Sequence, residues 1–289
     1  MRISCCILSV LVFTAAPGRV EAEAIDAGRG KLSLVVPKSY DEAKPAALVV
    51  LLHGYTSSGA GQDAYMKVSP LADTYGFLFI APDGTREKSN AKHRFWNATK
   101  ACCDLYGSNV DDSAYLLRVI DEVKKKVSVD PNRVYLIGHS NGGFMSHRMA
   151  VDHPDTIAAI AALNGAAPNM LAKAKPDRPV NILHIHGTKD RLNAYGGGEI
   201  RGVKYPGALE TVTKWAKLYD LPTKAESAEK KLDLDSVLAG NETTITRFGD
   251  GAVELWTINE GGHVPKITAT FTKNIIEWLL AHPKARKSD

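Results

Sequence analysis

The stretch Gly138-His139-Ser140-Asn141-Gly142 decides the fold, because it joins a strand-like run to a segment with helical spacing. The run before it, 133–137, is largely apolar and follows the turn signal Asp130-Pro131-Asn132. After the stretch, apolar residues recur at the period of a helix. A serine on so sharp a turn adopts strained dihedrals, and glycines at 138 and 142 let strand and helix approach closely. The pattern predicts a nucleophile elbow that holds the Ser140 hydroxyl above a sheet.

A G-x-S-x-G motif alone is weak, since it arises by chance in roughly one chain in ten of this length. It needs an acid and a histidine after it, in the order Ser, Asp, His. Asp190 follows the predicted strand 180–186, and His263 follows the predicted strand 253–258. Loops at the carboxyl ends of parallel strands share one crevice, so these residues can meet Ser140. Ser140 would attack an acyl carbon, His263 would take and return the proton, and Asp190 would fix the imidazole tautomer.

An oxyanion loop is expected earlier in the chain. His53-Gly54-Tyr55 follows 46–52, a continuous apolar run typical of a strand buried on both faces. The backbone N–H groups of Tyr55 and Asn141 are predicted to face the negative charge that develops on the substrate. Two alternatives stay open: Asp111 or Asp112 as the acid, and a catalytically silent binding protein on the same fold.

Strands and helices alternate along the chain, which implies a mostly parallel sheet with helices on both faces. The predicted strands are 31–37, 46–52, 77–80, 133–137, 157–163, 180–186, 243–247 and 253–258. The predicted helices are 64–75, 112–127, the segment after the elbow, 207–219 and 269–280.

Length and composition favour one domain, since 289 residues with 44% hydrophobic side chains and no repeat can bury one sizeable core. The net charge of +4 is small, and the basic residues are scattered. No nucleic-acid partner is therefore expected. The oligomeric state has no signal in the sequence.

Residues 1–24 have the pattern of a signal peptide: a basic start, the apolar stretch 5–16, then small-x-small cleavage sites. The apolar stretch is too short to span a bilayer, and no later run approaches eighteen apolar residues. We expect a secreted or periplasmic protein with one catalytic domain at 25–289 and no membrane partner.

The segment 85–109 is polar and too long for a simple connection, which favours a functional loop. It carries Cys102 and Cys103, the only cysteines that remain after the leader is removed. In an oxidising compartment these cysteines have only each other as intramolecular partners. A vicinal disulfide is predicted, and two buried thiols are the alternative.

Four of the histidines outside the predicted triad and the oxyanion loop are candidates for other roles. His184 and His186 share one face of a predicted strand, as metal ligands can, but no Cys or Glu lies at ligand spacing. The sequence therefore predicts no metal and no other cofactor. His139 and His147 are interpreted as structural.

These motifs together resemble the secreted α/β-hydrolase esterases of the polyhydroxybutyrate depolymerase and feruloyl esterase type, over nearly the whole mature chain. The resemblance implies an α/β-hydrolase fold, the serine esterase triad, and substrates such as short polyhydroxyalkanoates or feruloylated and acetylated polysaccharides. A serine peptidase or thioesterase is the alternative. The motifs are 52–54, Trp96-Asn97 with Cys102-Cys103, 110–112, 138–143, 186–190, 195–197 and 261–263.

One departure from the family concerns the residues after His263. Family members often carry Thr-Trp-Pro-Gly there, whereas this chain has Val264-Pro265-Lys266. The change removes an aromatic side chain near the site, which favours small or oligomeric ester substrates over solid polymers.

No large lid is predicted, because the excursion 164–178 contains Pro168 and Pro176. An open cleft must hold its substrate with exposed aromatics. Trp96 and Tyr195 are the predicted substrate-binding residues, and the alternative for both is an anchoring role in their loops.

Overall fold

The computed structural model describes residues 24–169, 171 and 175–285, so only Ala24 of the predicted signal peptide falls within it. A mixed sheet of nine strands crosses this part of the chain, accompanied by three two-stranded sheets. The strands, in chain order, are β1 (Ile25–Asp26), β2 (Lys31–Leu32), β3 (Leu34–Val35), β4 (Ala46–Leu52), β5 (Leu78–Ile80), β6 (Thr85–Arg86), β7 (Arg94–Phe95), β8 (Val129–His139), β9 (Ala159–Leu163), β10 (Asn181–Gly187), β11 (Gly197–Ile200), β12 (Val203–Pro206), β13 (Glu226–Ser227), β14 (Thr243–Phe248) and β15 (Val253–Ile258).

The large sheet has the order β13-β14-β15-β10-β9-β8-β4-β5-β3. Its six central strands, from β15 to β5, run parallel to one another. The edge strands β3, β14 and β13 each pair antiparallel with a neighbour. The carboxyl ends of the six central strands therefore share one edge of the sheet, and the predicted mostly parallel sheet is confirmed.

Helices cover both faces of this sheet, as predicted. They are α1 (Gly59–Met66), α2 (Ala72–Tyr75), α3 (Asp112–Lys126), α4 (Asn141–Asp152), α5 (Ala208–Leu218) and α6 (Phe271–Ala281), with a 3-10 turn at Ser69–Leu71. Alternate residues of β4 point to opposite faces. Leu48, Val50 and Leu52 pack in one core with α3, α4 and α5, whereas Ala47, Val49 and Leu51 pack in a second core with α1 and α6. No helix in the described range is long and apolar enough to cross a bilayer.

The helix predicted at 64–75 is interrupted in the structure. Helix α1 ends at Met66, and Lys67 has φ 54°. The Asp63 carboxylate accepts hydrogen bonds from the N–H groups of Val68 (3.0 Å) and Ser69 (2.9 Å), which turns the chain. Pro70 then occupies a position where its missing N–H costs no helical bond. The local turn therefore divides the predicted helix into two shorter helices.

Strand β8 begins at Val129 and so includes the predicted turn signal Asp130-Pro131-Asn132. Against β4, Ala46 pairs with Val129 and Leu48 pairs with Val134, so β8 carries extra residues there. The Asp130 carboxylate accepts the N–H of Asn132 at 2.8 Å. The signal therefore marks a bulge within the strand rather than its beginning.

Candidate active site

The turn from β8 into α4 holds Ser140 at φ 54°, ψ −118°, a conformation that non-glycine residues rarely adopt. A Cβ on Gly138 would lie 2.1 Å from the carbonyl oxygen of Gly142. A Cβ on Gly142 would lie 2.2 Å from the carbonyl oxygen of Leu52. Both glycines are therefore needed where strand and helix nearly touch, and Ser140 stays partly exposed at the top of the turn.

His263 lies between Ser140 and Asp190. Its Nε2 atom is 2.8 Å from Ser140 Oγ, and its Nδ1 atom is 2.7 Å from Asp190 Oδ2. The Asp190 side chain is fully buried, and 12% of the His263 side chain is exposed. The structure thus brings together the three residues that the sequence placed at the ends of β8, β10 and β15.

The environment of Asp190 favours its carboxylate form. Burial alone would raise its pKa, but hydrogen bonds from His186 and His263 and from the N–H of Asn193 outweigh burial and lower the pKa. Its Oδ1 atom accepts the N–H groups of Leu192 (2.8 Å) and Asn193 (2.9 Å). Asp190 is therefore ionised at neutral pH, and both of its carboxylate oxygens accept hydrogen bonds.

Two residues beside the triad hold the loop of His263. His139 Nε2 donates to the carbonyl oxygen of His263 at 2.9 Å, and Asn164 Nδ2 donates to the same oxygen at 2.7 Å. Asn164 Oδ1 also accepts the N–H of Gly187 at 3.0 Å, which ties the loop of His263 to the end of β10. Burial lowers the pKa of His139 to about 4, so it acts as a neutral donor.

The contacts of Asn164 are not predicted by the sequence, and His139 is predicted only as a structural residue. Asn164 follows β9 directly and has φ 50°, so it lies at the same edge of the sheet as the triad. The position of this polar residue directly after a buried strand is the sequence feature that could have indicated a role for Asn164 in the site.

The predicted oxyanion loop lies against the nucleophile. A Cβ on Gly54 would be 3.6 Å from the Cβ of Ser140. The N–H of Gly54 donates to Gln62 Oε1 (3.1 Å) and the N–H of Thr56 donates to the carbonyl oxygen of Arg94 (2.8 Å). Within the described residues, no hydrogen bond uses the N–H of Tyr55 or of Asn141. These are the two donors that the sequence predicts for the oxyanion hole.

Trp96 does not lie in an open cleft, and the prediction that its ring is exposed is wrong. Its side chain is 0% exposed and packs between the rings of His53 and Tyr115. Its Nε1 atom donates to the carbonyl oxygen of His53 at 3.0 Å. The Asn141 side chain bonds both the N–H (2.7 Å) and the carbonyl oxygen (2.8 Å) of Trp96. Trp96 therefore joins the oxyanion loop to the first residue of α4.

Tyr195 is half-buried. Its hydroxyl lies 2.9 Å from Thr257 Oγ1, and its ring contacts His186 edge-on at 5.6 Å. These are the contacts of a loop anchor, which was the alternative interpretation. A substrate-binding role for Tyr195 stays a prediction.

The structure joins the sulfurs of Cys102 and Cys103. Asn141 Nδ2 lies 3.5 Å from Cys102 Sγ, so the cysteine pair also contacts the start of α4. A cavity of about 570 Å³ opens along the same loop, lined in part by Ala98, Arg148 and Ile200 and by no residue of the triad. In the described part of the chain, no three His, Cys, Asp or Glu residues are placed to hold a metal ion.

Comparisons with known proteins agree with this fold. Residues 35–200 match the sequence model of the phospholipase/carboxylesterase family. The putative esterase NocK of Nocardia uniformis subsp. tsuyamanensis is 32% identical over 180 residues, 62% of this chain and 48% of NocK. Feruloyl esterase B of Piromyces equi is 28% identical over 243 residues, 81% of this chain and 42% of that protein. The chain spans less than half the length of either relative.

Among solved structures, an acetyl xylan esterase from Aspergillus awamori superposes with a TM-score of 0.63 and 18% identity. The match covers 88% of this chain and 97% of that one. The α/β-hydrolase fold and the resemblance predicted from the motifs are confirmed.

Proposed function

The chain belongs to the phospholipase/carboxylesterase family, and we propose that it is a serine carboxylic ester hydrolase that works through an acyl-enzyme on Ser140. The observation that carries this proposal is the continuous line of hydrogen bonds from Ser140 Oγ through His263 to Asp190, at 2.8 and 2.7 Å. The named relatives are esterases, which supports the same reaction class.

The first half of the reaction forms a bond between Ser140 Oγ and the carbonyl carbon of the ester. His263 Nε2 takes the hydroxyl proton as the bond forms, and the Asp190 carboxylate stabilises the imidazolium. The tetrahedral intermediate then expels the alcohol, which receives that proton from His263. Water repeats these steps on the acyl-enzyme and releases the carboxylic acid.

The negative oxygen of the tetrahedral intermediate needs donors that are already in place. We assign this role to the N–H groups of Tyr55 and Asn141, the two donors beside Ser140 without a partner among the described hydrogen bonds. Asn141 is the first residue of α4, so the helix dipole adds to the stabilisation.

The proposed substrates are short-chain, hydroxyalkanoate-type, feruloyl or acetyl esters in soluble or oligomeric form. A feruloyl esterase and an acetyl xylan esterase among the similar proteins support this range. The signal-like pattern of residues 1–24 supports a secreted or periplasmic location.

A fluorophosphonate probe tests the function directly. Wild-type protein should be labelled at Ser140, and Ser140→Ala should lose both labelling and turnover. Ser227→Ala, in the exposed strand β13, is the matched control and should keep both. Unlabelled wild type would instead favour the binding protein on a hydrolase fold.

A substrate screen narrows the reaction. It should include p-nitrophenyl esters of graded chain length, methyl ferulate and hydroxybutyrate oligomers, with a thioester and a peptide for the alternative hydrolase classes. We expect turnover of the esters well above that of the peptide, and the opposite order would indicate a peptidase.

A further inference from the structure

A row of hydrogen-bonded rings runs through the core behind Asp190, and each ring is at most 1% exposed. It begins at Trp215 in α5, passes through His147 in α4 and through His184 and His186 in β10, and ends beside Asp190. The contacts are Trp215 Nε1 to His147 Nδ1 (3.1 Å), His147 Nε2 to His184 Nδ1 (3.1 Å), His184 Nε2 to His186 Nδ1 (3.1 Å), His186 Nε2 to the carbonyl oxygen of Asn193 (2.8 Å) and His186 Nε2 to Asp190 Oδ2 (3.5 Å). We call the three histidines the imidazole row.

The partners at the two ends determine every proton in the imidazole row. An indole N–H can only donate, so His147 Nδ1 accepts and its Nε2 carries the proton. The same step repeats at His184 and at His186, since a neutral imidazole has one donor and one acceptor. This series of hydrogen bonds ends at the carbonyl oxygen of Asn193, which can only accept. All three rings are therefore Nε2–H tautomers, and all their hydrogen bonds point towards Asp190.

The interior keeps His147 and His184 neutral. Burial lowers the pKa of His147 to about 3 and holds the pKa of His184 well below its ordinary value. The Nδ1 lone pair of each ring accepts one hydrogen bond, so the lone pairs of the three rings do not converge on one point as metal ligands would. Burying three imidazoles is costly unless every nitrogen is bonded, and here every nitrogen is.

We propose that the imidazole row positions Asp190 for catalysis by holding His186 in its Nε2–H tautomer, an inference that rests on the proposed ester hydrolase. His186 Nε2 donates to the carbonyl oxygen of Asn193, and the N–H of Asn193 donates to Asp190 Oδ1. The row thereby fixes the turn that carries Asp190. The opposite tautomer of His186 would point a lone pair at both the Asn193 oxygen and Asp190 Oδ2.

His184 is the best site for a test, because it touches neither Asp190 nor His263 in any described hydrogen bond. His184→Leu removes the donor and acceptor and frees His186 to change tautomer. We expect kcat to fall about tenfold, as for other outer residues that orient a reactive group, with KM unchanged. The far-downfield proton resonance of the His263–Asp190 hydrogen bond should broaden or move upfield.

Two further variants separate positioning from packing. His184→Gln offers an amide oxygen to His147 and an amide N–H to His186, so it should restore most of kcat and the downfield resonance. Leu183→Ala, the next residue in β10, faces the opposite core and should lower the melting temperature with kcat unchanged. A folded His184→Leu enzyme with wild-type kcat and resonance would overturn the proposal.

A measurement on wild-type protein covers the case in which His184→Leu does not fold. Histidine labelled with ¹⁵N reports the tautomer of each ring, and His147, His184 and His186 should all be Nε2–H. An Nδ1–H tautomer at any of the three would refute the row. Failure of the esterase proposal is distinguishable, since it would appear as wild type without fluorophosphonate labelling or turnover.

Discussion

Asp190 and its two acidic alternatives differ in what their carboxylates touch. Asp190 Oδ2 lies 2.7 Å from His263 Nδ1. Asp111 instead caps α3 by accepting the N–H of Ala114 at 3.0 Å, and Asp112 pairs with Arg29 at 2.6 Å. The geometry therefore favours Asp190 as the acid of the triad.

Replacing Asp190 tests this assignment. Asp190→Asn should lower kcat by up to about 10⁴, because the imidazole is then held in the wrong tautomer for taking the proton of Ser140. Asp111→Asn is the matched control and should keep its activity, since asparagine caps a helix as well as aspartate does. Steady-state kinetics on a p-nitrophenyl ester measures both variants. A kcat that is nearly unchanged in Asp190→Asn would mean that another acid, such as Asp111 or Asp112, serves in the triad.

The pKa of Asp190 also predicts how stability depends on pH. Its folded-state pKa lies below the ordinary value of 3.8. Its carboxylate therefore stabilises the fold fully above the unfolded pKa, and this contribution is lost as pH falls towards the folded pKa. Below about pH 4 the free energy of unfolding should fall more steeply for wild type than for Asp190→Asn. Urea unfolding at several acidic pH values measures how steeply the free energy of unfolding falls with pH in each protein. Equal slopes would contradict the lowered pKa of Asp190.

Trp96 now has a different expected role from that predicted by the sequence. Trp96→Phe keeps a buried ring but loses the N–H that holds the carbonyl oxygen of His53. We expect kcat to fall about tenfold for small and bulky esters alike, because the oxyanion loop is loosened and no substrate contact is removed. Kinetics on acetate and on a bulky ester measures this.

A matched control for Trp96→Phe exists elsewhere in the chain. The Nε1 of Trp278 is buried and, within the described residues, makes no hydrogen bond, so Trp278→Phe should leave kcat unchanged. If Trp96→Phe weakens the binding of bulky esters only, the result would instead support a direct contact between Trp96 and the substrate.

The sequence could predict the triad because each member follows its own strand, and strand ends are visible as apolar runs. It could not predict the partners of His263. His139 and Asn164 both donate to the carbonyl oxygen of His263, which lies 124 and 99 positions away from them in the sequence. Such contacts leave no local pattern. Trp96 shows the same limit, because its burial depends on packing against Tyr115 of α3.

Among the secondary-structure elements, the buried central strands were the most predictable. Strands β4 and β15 have the predicted bounds, 46–52 and 253–258. The continuous apolar run of β4 is typical of a strand covered on both faces. The hairpin of β11 and β12 is not predicted by the sequence. It lies outside the large sheet, and its residues, rich in glycine and charge, show no alternation of apolar and polar side chains.

The loop from 85 to 109 supports a prediction about its cysteines. If the protein is exported, as proposed, Cys102 and Cys103 should form a disulfide, since an oxidising compartment would offer them no other intramolecular partner. Intact mass after alkylation measures this, with and without prior reduction. Only the reduced sample should gain two alkyl groups, and two alkylatable thiols in unreduced protein would refute the bond.

At the scale of the whole molecule, the two cores explain why the site forms at one edge. The six parallel strands are buried on both faces, so accessible polar side chains lie mainly in the loops where these strands end. Ser140, Asp190, His263 and the oxyanion loop follow four of the six strands. The positions of these residues after predicted strands are therefore enough to predict that they lie close together at one edge of the sheet, without any detail of their packing.

The exposure of the nucleophile leads to the last prediction. Ser140 is partly exposed, and in the described residues between 164 and 180 no helix covers it. An enzyme without a lid has no closed state for an interface to open, so no interfacial activation is expected. The rate on a soluble butyrate ester should rise smoothly as its concentration passes the solubility limit. A lipase with a helical lid serves as the control for a sudden increase, and such an increase in this protein would show that a segment closes over Ser140.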